Sequence, residues 1–152
     1  MQVTGEYLFH GPRPAVWALL NDEEVLRRCT PGCERLEQTG DDQYRAHLKI
    51  GLAAVKGTYE GSLHITDKQA PETMTLKIEA AGSTGFVNVG GRMDLHDLGD
   101  RTRVAYDWNV AVGGPVAMVG QRILGGVAKW IIGDFFNTAH KELTVRLKEG
   151  AV

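Results

Sequence analysis

The sequence predicts an α+β domain in which a long, curved antiparallel sheet lies against one long C-terminal helix. Three observations carry this. Most of residues 44–112 alternate between apolar and polar side chains, the mark of strands packed on one face only. The period then becomes helical, from Pro115 to about Leu147. Nothing reads as a linker, a repeat or a low-complexity tract, so the 152 residues form a single domain, 1–152. A chain of this length buries roughly 68–70% of its unfolded surface and needs no staple.

In chain order, residues 2–10 form a strand, with Val3, Gly5, Tyr7 and Phe9 on one side and Gln2, Thr4, Glu6 and His10 on the other. Pro12 and Pro14 end it, and Pro14 suits the first turn of a short helix over 15–20. Asn21 and Glu24 have capping-box spacing, so a second short helix is expected from there to about Cys29. Alternating runs follow at 44–50, 55–65, 73–80, 87–95 and 103–112, and about seven strands are expected in all. Turns are expected at Gly40-Asp41-Asp42, Ala70-Pro71, Gly82–Gly85 and Gly99-Asp100. Gly57, Gly61, Gly85, Gly90 and Gly91 fall in or beside strands, where they mark the bends or bulges of a curled sheet. At ~1.5 Å per residue the last helix is about 50 Å long. This order is the helix-grip plan: the sheet curls around the helix, two short helices close one end, and a cavity lies between.

Composition excludes several functions. Seventeen Lys and Arg against nineteen Asp and Glu give a net charge of −2, which offers no field for nucleic acid. The longest uncharged stretch, 108–121, is interrupted by glycines, a proline and an asparagine and falls short of the ~18–20 apolar residues of a membrane span. Residues 1–6 have neither a basic leader nor an apolar core, so no secretory signal is expected. The two cysteines then read as cytoplasmic thiols, Cys29 and Cys33 being small residues framing a tight turn.

No catalytic residue, cofactor or metal site is assigned. There is no nucleophile elbow, no phosphate loop and no zinc spacing. His10, His47, His64 and His96 all take the polar parity of their strands and face water. The inward parity is more informative. Tyr44, Leu48, Tyr59, Leu76, Met93, Tyr106 and Trp108 are expected to point at Ile123, Val127, Ile131 and Phe135 of the helix and to line a cavity for an apolar molecule. A wheel extends that helix stripe back through Gly120 and Val116. The opposite stripe mixes Met118, Ile132 and Phe136 with Arg122 and Lys129, the pattern of a helix that sits on a membrane or a partner. Gly120, Gly125, Gly126 and Gly133 lie inside the expected helix, either as a hinge at Gly125-Gly126 or for close packing on the sheet.

A family resemblance rests on residues spread over nearly the whole chain. Gly5 and Phe9 precede Pro14-Ala15-Val16-Trp17, Leu20-Asn21-Asp22 and Cys29-Thr30-Pro31-Gly32-Cys33-Glu34. Gly85-Phe86 and Val112-Gly113-Gly114-Pro115-Val116-Ala117-Met118-Val119-Gly120 come later. In these the chain resembles the G-subunit family of carbon monoxide dehydrogenase, a branch of the START/Bet v1-like (SRPBCC) superfamily. The resemblance implies a non-enzymatic accessory protein that binds a lipid or quinone. It implies molybdenum hydroxylase subunits as partners and recruitment of the enzyme to a membrane; with the cytoplasmic thiols and the basic stripe of the last helix, that contact is expected at the inner face, on anionic lipid. Anchoring members can carry a C-terminal extension, whereas this sequence ends at Val152, so direct anchoring is not expected; with no spanning segment and only Arg122 and Lys129 in the stripe, the attachment expected is peripheral and weak. The alternative is a polyketide cyclase- or hydratase-like enzyme using the same cavity, with Asp134 and the tyrosines as acid–base groups.

Overall fold

The computed structural model describes residues 1–150. Strand β1 (Gln2–Phe9) leads into helices α1 (Arg13–Leu20) and α2 (Glu23–Cys29). Six strands follow: β2 (Cys33–Gly40), β3 (Gln43–Ile50), β4 (Gly57–Gln69), β5 (Thr73–Gly82), β6 (Gly85–Asp97) and β7 (Thr102–Gly113). Helix α3 (Gln121–Lys148) ends the chain, and 3-10 turns occupy Ala53–Val55 and Pro115–Val119. The strands form one antiparallel sheet in the order β1-β7-β6-β5-β4-β3-β2, so β1 and β2 are its edges. This is the helix-grip architecture expected from the element order.

The strand parities hold. Lys49 and Glu60 are exposed on the outer face, while Tyr44, Tyr59, Met93 and Trp108 are buried on the inner one. The core is densest where α1, α2 and the last half of α3 meet the sheet. Phe9, Val16, Leu19, Val25, Val104, Ala139 and Leu143 have no exposed surface there. Two ion pairs tie the helices together at this end: Arg28 Nε donates to Glu142 Oε1 at 2.7 Å, and Arg146 pairs with Asp22.

Four local expectations need correction. Strand β2 is not among the alternating runs, because Leu36 is nearly the only apolar side chain it turns inward and Glu34, Arg35, Glu37, Gln38 and Thr39 are exposed. An edge strand with little to bury leaves little pattern. The cap of α2 is Asp22, whose Oδ1 accepts the Glu24 N–H at 2.9 Å; Asn21 instead closes α1, donating from Nδ2 to the Trp17 carbonyl at 2.9 Å. The last helix begins at Gln121 and not at Pro115, because Gly120 takes φ +90 and separates it from the preceding 3-10 turn. Pairing also runs without a register shift through Gly61, Gly85, Gly90 and Gly91, so these are not bulges. A Cβ at Gly91 would lie 2.1 Å from the Asp107 carbonyl oxygen and one at Gly85 2.2 Å from that of Gly113. At Gly85 and Gly91 the role is close backbone approach across the strands, which only glycine allows.

The face that α3 turns inward also differs from the wheel. Leu124, Phe136, Ala139 and Leu143 are buried, whereas Ile123 is 50% exposed. A strict i+4 row over-rotates by about 40° at each step of a 3.6-residue helix. The row 123-127-131-135 therefore starts on the outer face and drifts toward the core by Phe135. Phe136, expected outside, is 1% exposed: it stacks on Tyr7 at 5.2 Å and on Tyr106 at 5.8 Å, with Phe9 edge-on. Ile132 packs half-buried against the core. Neither residue belongs to an exposed membrane or partner face.

Candidate functional site: an apolar cleft under the free half of the last helix

Packing along α3 is uneven. Its second half buries Phe136, Ala139 and Leu143; its first half, residues 121–133, buries only Leu124. Val127, Ala128, Ile131 and Ile132 stay half-buried in that first half. The sheet beneath shows the same gradient. Met74, Met93, Leu95 and Ile65 are buried near α1 and α2. Leu48, Leu63, Leu76, Ile78 and Val89 keep exposed surface, although they point to the face that the helix covers. Apolar side chains of a sheet and of a facing helix that both retain exposure line a cleft, not a sealed core.

Two glycines help to keep the cleft open. The Tyr106 ring lies against the β1 backbone at Gly5, where a Cβ would be 2.3 Å from the tyrosine hydroxyl. Trp108 lies against Gly91, whose added Cβ would be 2.8 Å from Trp108 Cδ1. Both rings lean on the sheet, 4.7 Å apart between centroids, in place of β-carbons that would push them toward the helix. On the helix side, a Cβ at Gly126 or Gly133 would meet nothing within 4 Å, and one at Gly125 only Met1 Sδ at 3.8 Å. Close packing on the sheet is therefore not what these glycines serve. On one flank of this half of the helix, Pro31, Ile50, Leu52, Trp130 and Ile131 border a largely apolar hollow of about 220 Å³.

Of the residues read from the sequence, Leu48, Leu76, Tyr106, Val127, Ile131 and Phe135 are half-buried, and Leu76, Tyr106 and Phe135 pack against the core cluster. Tyr44, Met93 and Trp108 belong to the buried core cluster. Tyr59 is held by its hydroxyl, which donates to the Val55 carbonyl at 2.8 Å and lies 2.7 Å from Thr84 Oγ1. Ile123 lies outside the cleft. Trp130, at 51% exposure, was not singled out in the sequence; its i+7 spacing from Ile123 was the available signal.

The polar groups here are few. Trp108 Nε1 is buried without a hydrogen-bond partner among the described residues. Burial raises the Tyr106 hydroxyl above its ordinary pKa, so it stays protonated at neutral pH. Asp134 is half-buried on α3, and its charge is felt at Cys29 on the α2 side. Burial, with help from Glu142, pushes the Cys29 thiol up to about 11, so it is no nucleophile at neutral pH. Among the described residues no three His, Cys, Asp or Glu side chains gather as metal ligands.

Residues 5–144 match the CoxG family, described as the G subunit of carbon monoxide dehydrogenase. No curated protein matches the sequence. Among solved structures, a conserved protein from Geobacillus kaustophilus is similar at 41% identity and a TM-score of 0.94, over 96% of this chain and 97% of that one. A START superfamily protein from Mycobacterium smegmatis (12% identity, TM-score 0.71, 94% and 97% covered) shares the fold. So does the Zhui aromatase/cyclase from Streptomyces sp. R1128 (15% identity, TM-score 0.71, 97% and 95% covered).

Proposed function

Because the chain belongs to the CoxG family of carbon monoxide dehydrogenase G subunits, we propose that its cleft carries an apolar ligand, a lipid or a quinone, and that the protein assists a molybdenum hydroxylase at a membrane surface. The observation that carries this is the packing gradient: one end of the grip is a solid core, and the other leaves apolar side chains of sheet and helix facing each other half-exposed. Sealing such side chains from water yields roughly 25 cal/mol per Å² of apolar area, so an elongated hydrophobe gains most by lying along the cleft. The uneven packing also allows the first half of α3 to move without disturbing the core at the other end.

Contact with a membrane falls to the outer side of that half. Ile123 and Trp130 are about half exposed two turns apart, and Met118, in the 3-10 turn just before the helix, is 88% exposed. Arg122 and Lys129 stand beside them. No described helix is long and apolar enough to cross a membrane, so the contact is a shallow one. The non-enzymatic reading rests on the family and on the mainly apolar lining of the cleft.

Native mass spectrometry of the protein as purified, followed by solvent extraction, tests the ligand. A co-purified prenyl or acyl lipid is expected. Failure to retain or bind any such hydrophobe would remove the proposal.

A further inference from the structure

We propose that the free edge of β1 is a docking site for an extended, acidic segment of a partner protein, which adds beside Gln2 and Thr4 as an eighth strand. The edge lies on the other flank of α3 from the apolar hollow, and this inference does not depend on what the cleft holds.

The hydrogen-bond pattern fixes which groups are free. Met1 and Val110 exchange both backbone hydrogen bonds, at 2.8 and 2.6 Å. In an antiparallel ladder the bonded pairs then recur every second residue: Val3 with Trp108, Gly5 with Tyr106, Tyr7 with Val104. The N–H and C=O groups of Gln2, Thr4, Glu6 and Leu8 point the other way, off the sheet. His10 has the same parity, and its N–H reaches His140 Nε2 on α3 at 3.2 Å. The free edge therefore looks toward the helix. At its far end it is closed by that bond and by Tyr7, whose hydroxyl lies 3.0 Å from Asn137 Oδ1 and 3.0 Å from His140 Nδ1. At the near end it opens into a groove of about 490 Å³ between residues 1–4 and Gln121, Arg122, Gly125, Gly126 and Lys129.

Two further observations choose the occupant. The first is how the two sheet edges differ. Edge strand β2 has register shifts at both ends, carries Glu34, Arg35 and Glu37, and packs against α2. Those are the usual protections against strand addition. Edge strand β1 pairs in regular register along all its length and contains neither Lys nor Pro. The second is charge. Arg122 and Lys129 line the groove, neither forms an ion pair among the described residues, and no acidic side chain lines it with them. Glu6, farther along the strand, faces Arg103 at 3.9 Å. Strand addition supplies main-chain hydrogen bonds, and cations beside the added strand select carboxylates on it. A second copy of this chain fits less well, since edge-to-edge pairing would bring the same cations together.

The test uses the full chain and a short, blocked peptide of alternating Glu and Val, followed by calorimetry and residue-resolved amide exchange. The peptide is expected to bind and to slow exchange at the Gln2 and Thr4 amides. Binding should weaken as salt rises and fall about tenfold or more for Arg122→Glu with Lys129→Glu. It should be lost when alternate peptide amides are N-methylated. Thr4→Pro, which removes an outward N–H and spares the β7 ladder, should also abolish it; the charge variant keeps the test open if that protein misfolds. Equal binding of a peptide of alternating Lys and Val, or no binding at millimolar concentration, would overturn the proposal. Protection of the same amides by self-association would replace the partner with a second copy. Binding of anionic vesicles through Arg122 and Lys129, with no peptide binding, would replace it with a lipid surface.

Discussion

Gly5 shows how one missing β-carbon can shape a binding site. Its absence allows Tyr106 to lean on β1, so Gly5→Val should drive the ring into the cleft. We expect a loss of stability of about 1–3 kcal/mol from overpacking and a larger proportional loss of ligand occupancy, read by chemical denaturation and by extraction of bound lipid. His140 sets a pH limit. Burial, reinforced by His10, lowers its pKa below the ordinary 6.5. Its Nε2 accepts the His10 N–H, so Nδ1 carries the proton in the neutral ring and donates to the Tyr7 oxygen. The unfolded chain binds this proton more readily than the native one. The stabilisation is therefore complete above pH 6.5 and is lost as pH falls through 6.5 to the lower native value. Urea midpoints at pH 7.5 and 5.5 should differ by less in His140→Gln than in the parent; an unchanged difference would remove the histidine from the account.

Helix α3 packs as two segments, one half-exposed and one buried against the core. Asp22 helps to fix the second: it caps α2 and pairs with Arg146, and although burial raises its pKa, the Arg146 and Glu24 hydrogen bonds bring the net value below normal. Asp22→Ala should cost about 1–2 kcal/mol from the cap alone. The first segment carries Gly126, where a Cβ would meet open space, and Gly125, where it would meet only Met1 Sδ at 3.8 Å, so replacing both with Ala should stabilise the protein by roughly 1 kcal/mol each through helix propensity. If movement of this segment admits the ligand, the same variant exchanges ligand more slowly, which stopped-flow displacement would measure; unchanged exchange would leave only the stability effect. The helix also shows where the sequence was readable. A strand needs only its parity, and a period of two does not drift, so Tyr44, Tyr59 and Trp108 could be placed on the inner face without a structure. A helix face needs a starting phase, and that phase is set by the break at Gly120 and by docking of Phe136 among Tyr7, Phe9 and Tyr106. Neither is local information. That is why Ile123 and Phe136 exchanged places, and why the nearly all-polar edge strand β2 left no signal.

For the whole molecule, a net charge of −2 opposes an anionic surface, and basic residues near one contribute only about 1 kcal/mol each. Exposed apolar side chains must therefore supply the rest of any attachment. We expect slight pelleting with neutral liposomes and modest, salt-sensitive pelleting with anionic ones. Ile123→Asp with Trp130→Asp should abolish it while leaving the unfolding midpoint nearly unchanged. Phe136→Asp would be uninformative, since it places a charge in the core. Failure of both liposome types to bind would remove the membrane reading and leave the Ile123–Trp130 stripe as a site for a protein partner.

The strand order has a consequence in time. Val3 is bonded across the sheet to Trp108, so β1, once made on the ribosome, has no strand neighbour until the last strand, β7, has emerged. At about 5–20 residues per second, that delay is on the order of 5–20 s. Through that interval β1 is an unpaired ribbon with Val3, Tyr7 and Phe9 uncovered, and closing so long a loop is slow once the partner arrives. Pulse-labelled refolding should therefore show the β4–β5 and β5–β6 hairpins protected first and the β1–β7 amides last. A cell making this protein would hold its N-terminal segment in reserve, most exposed to aggregation before the final helix is complete.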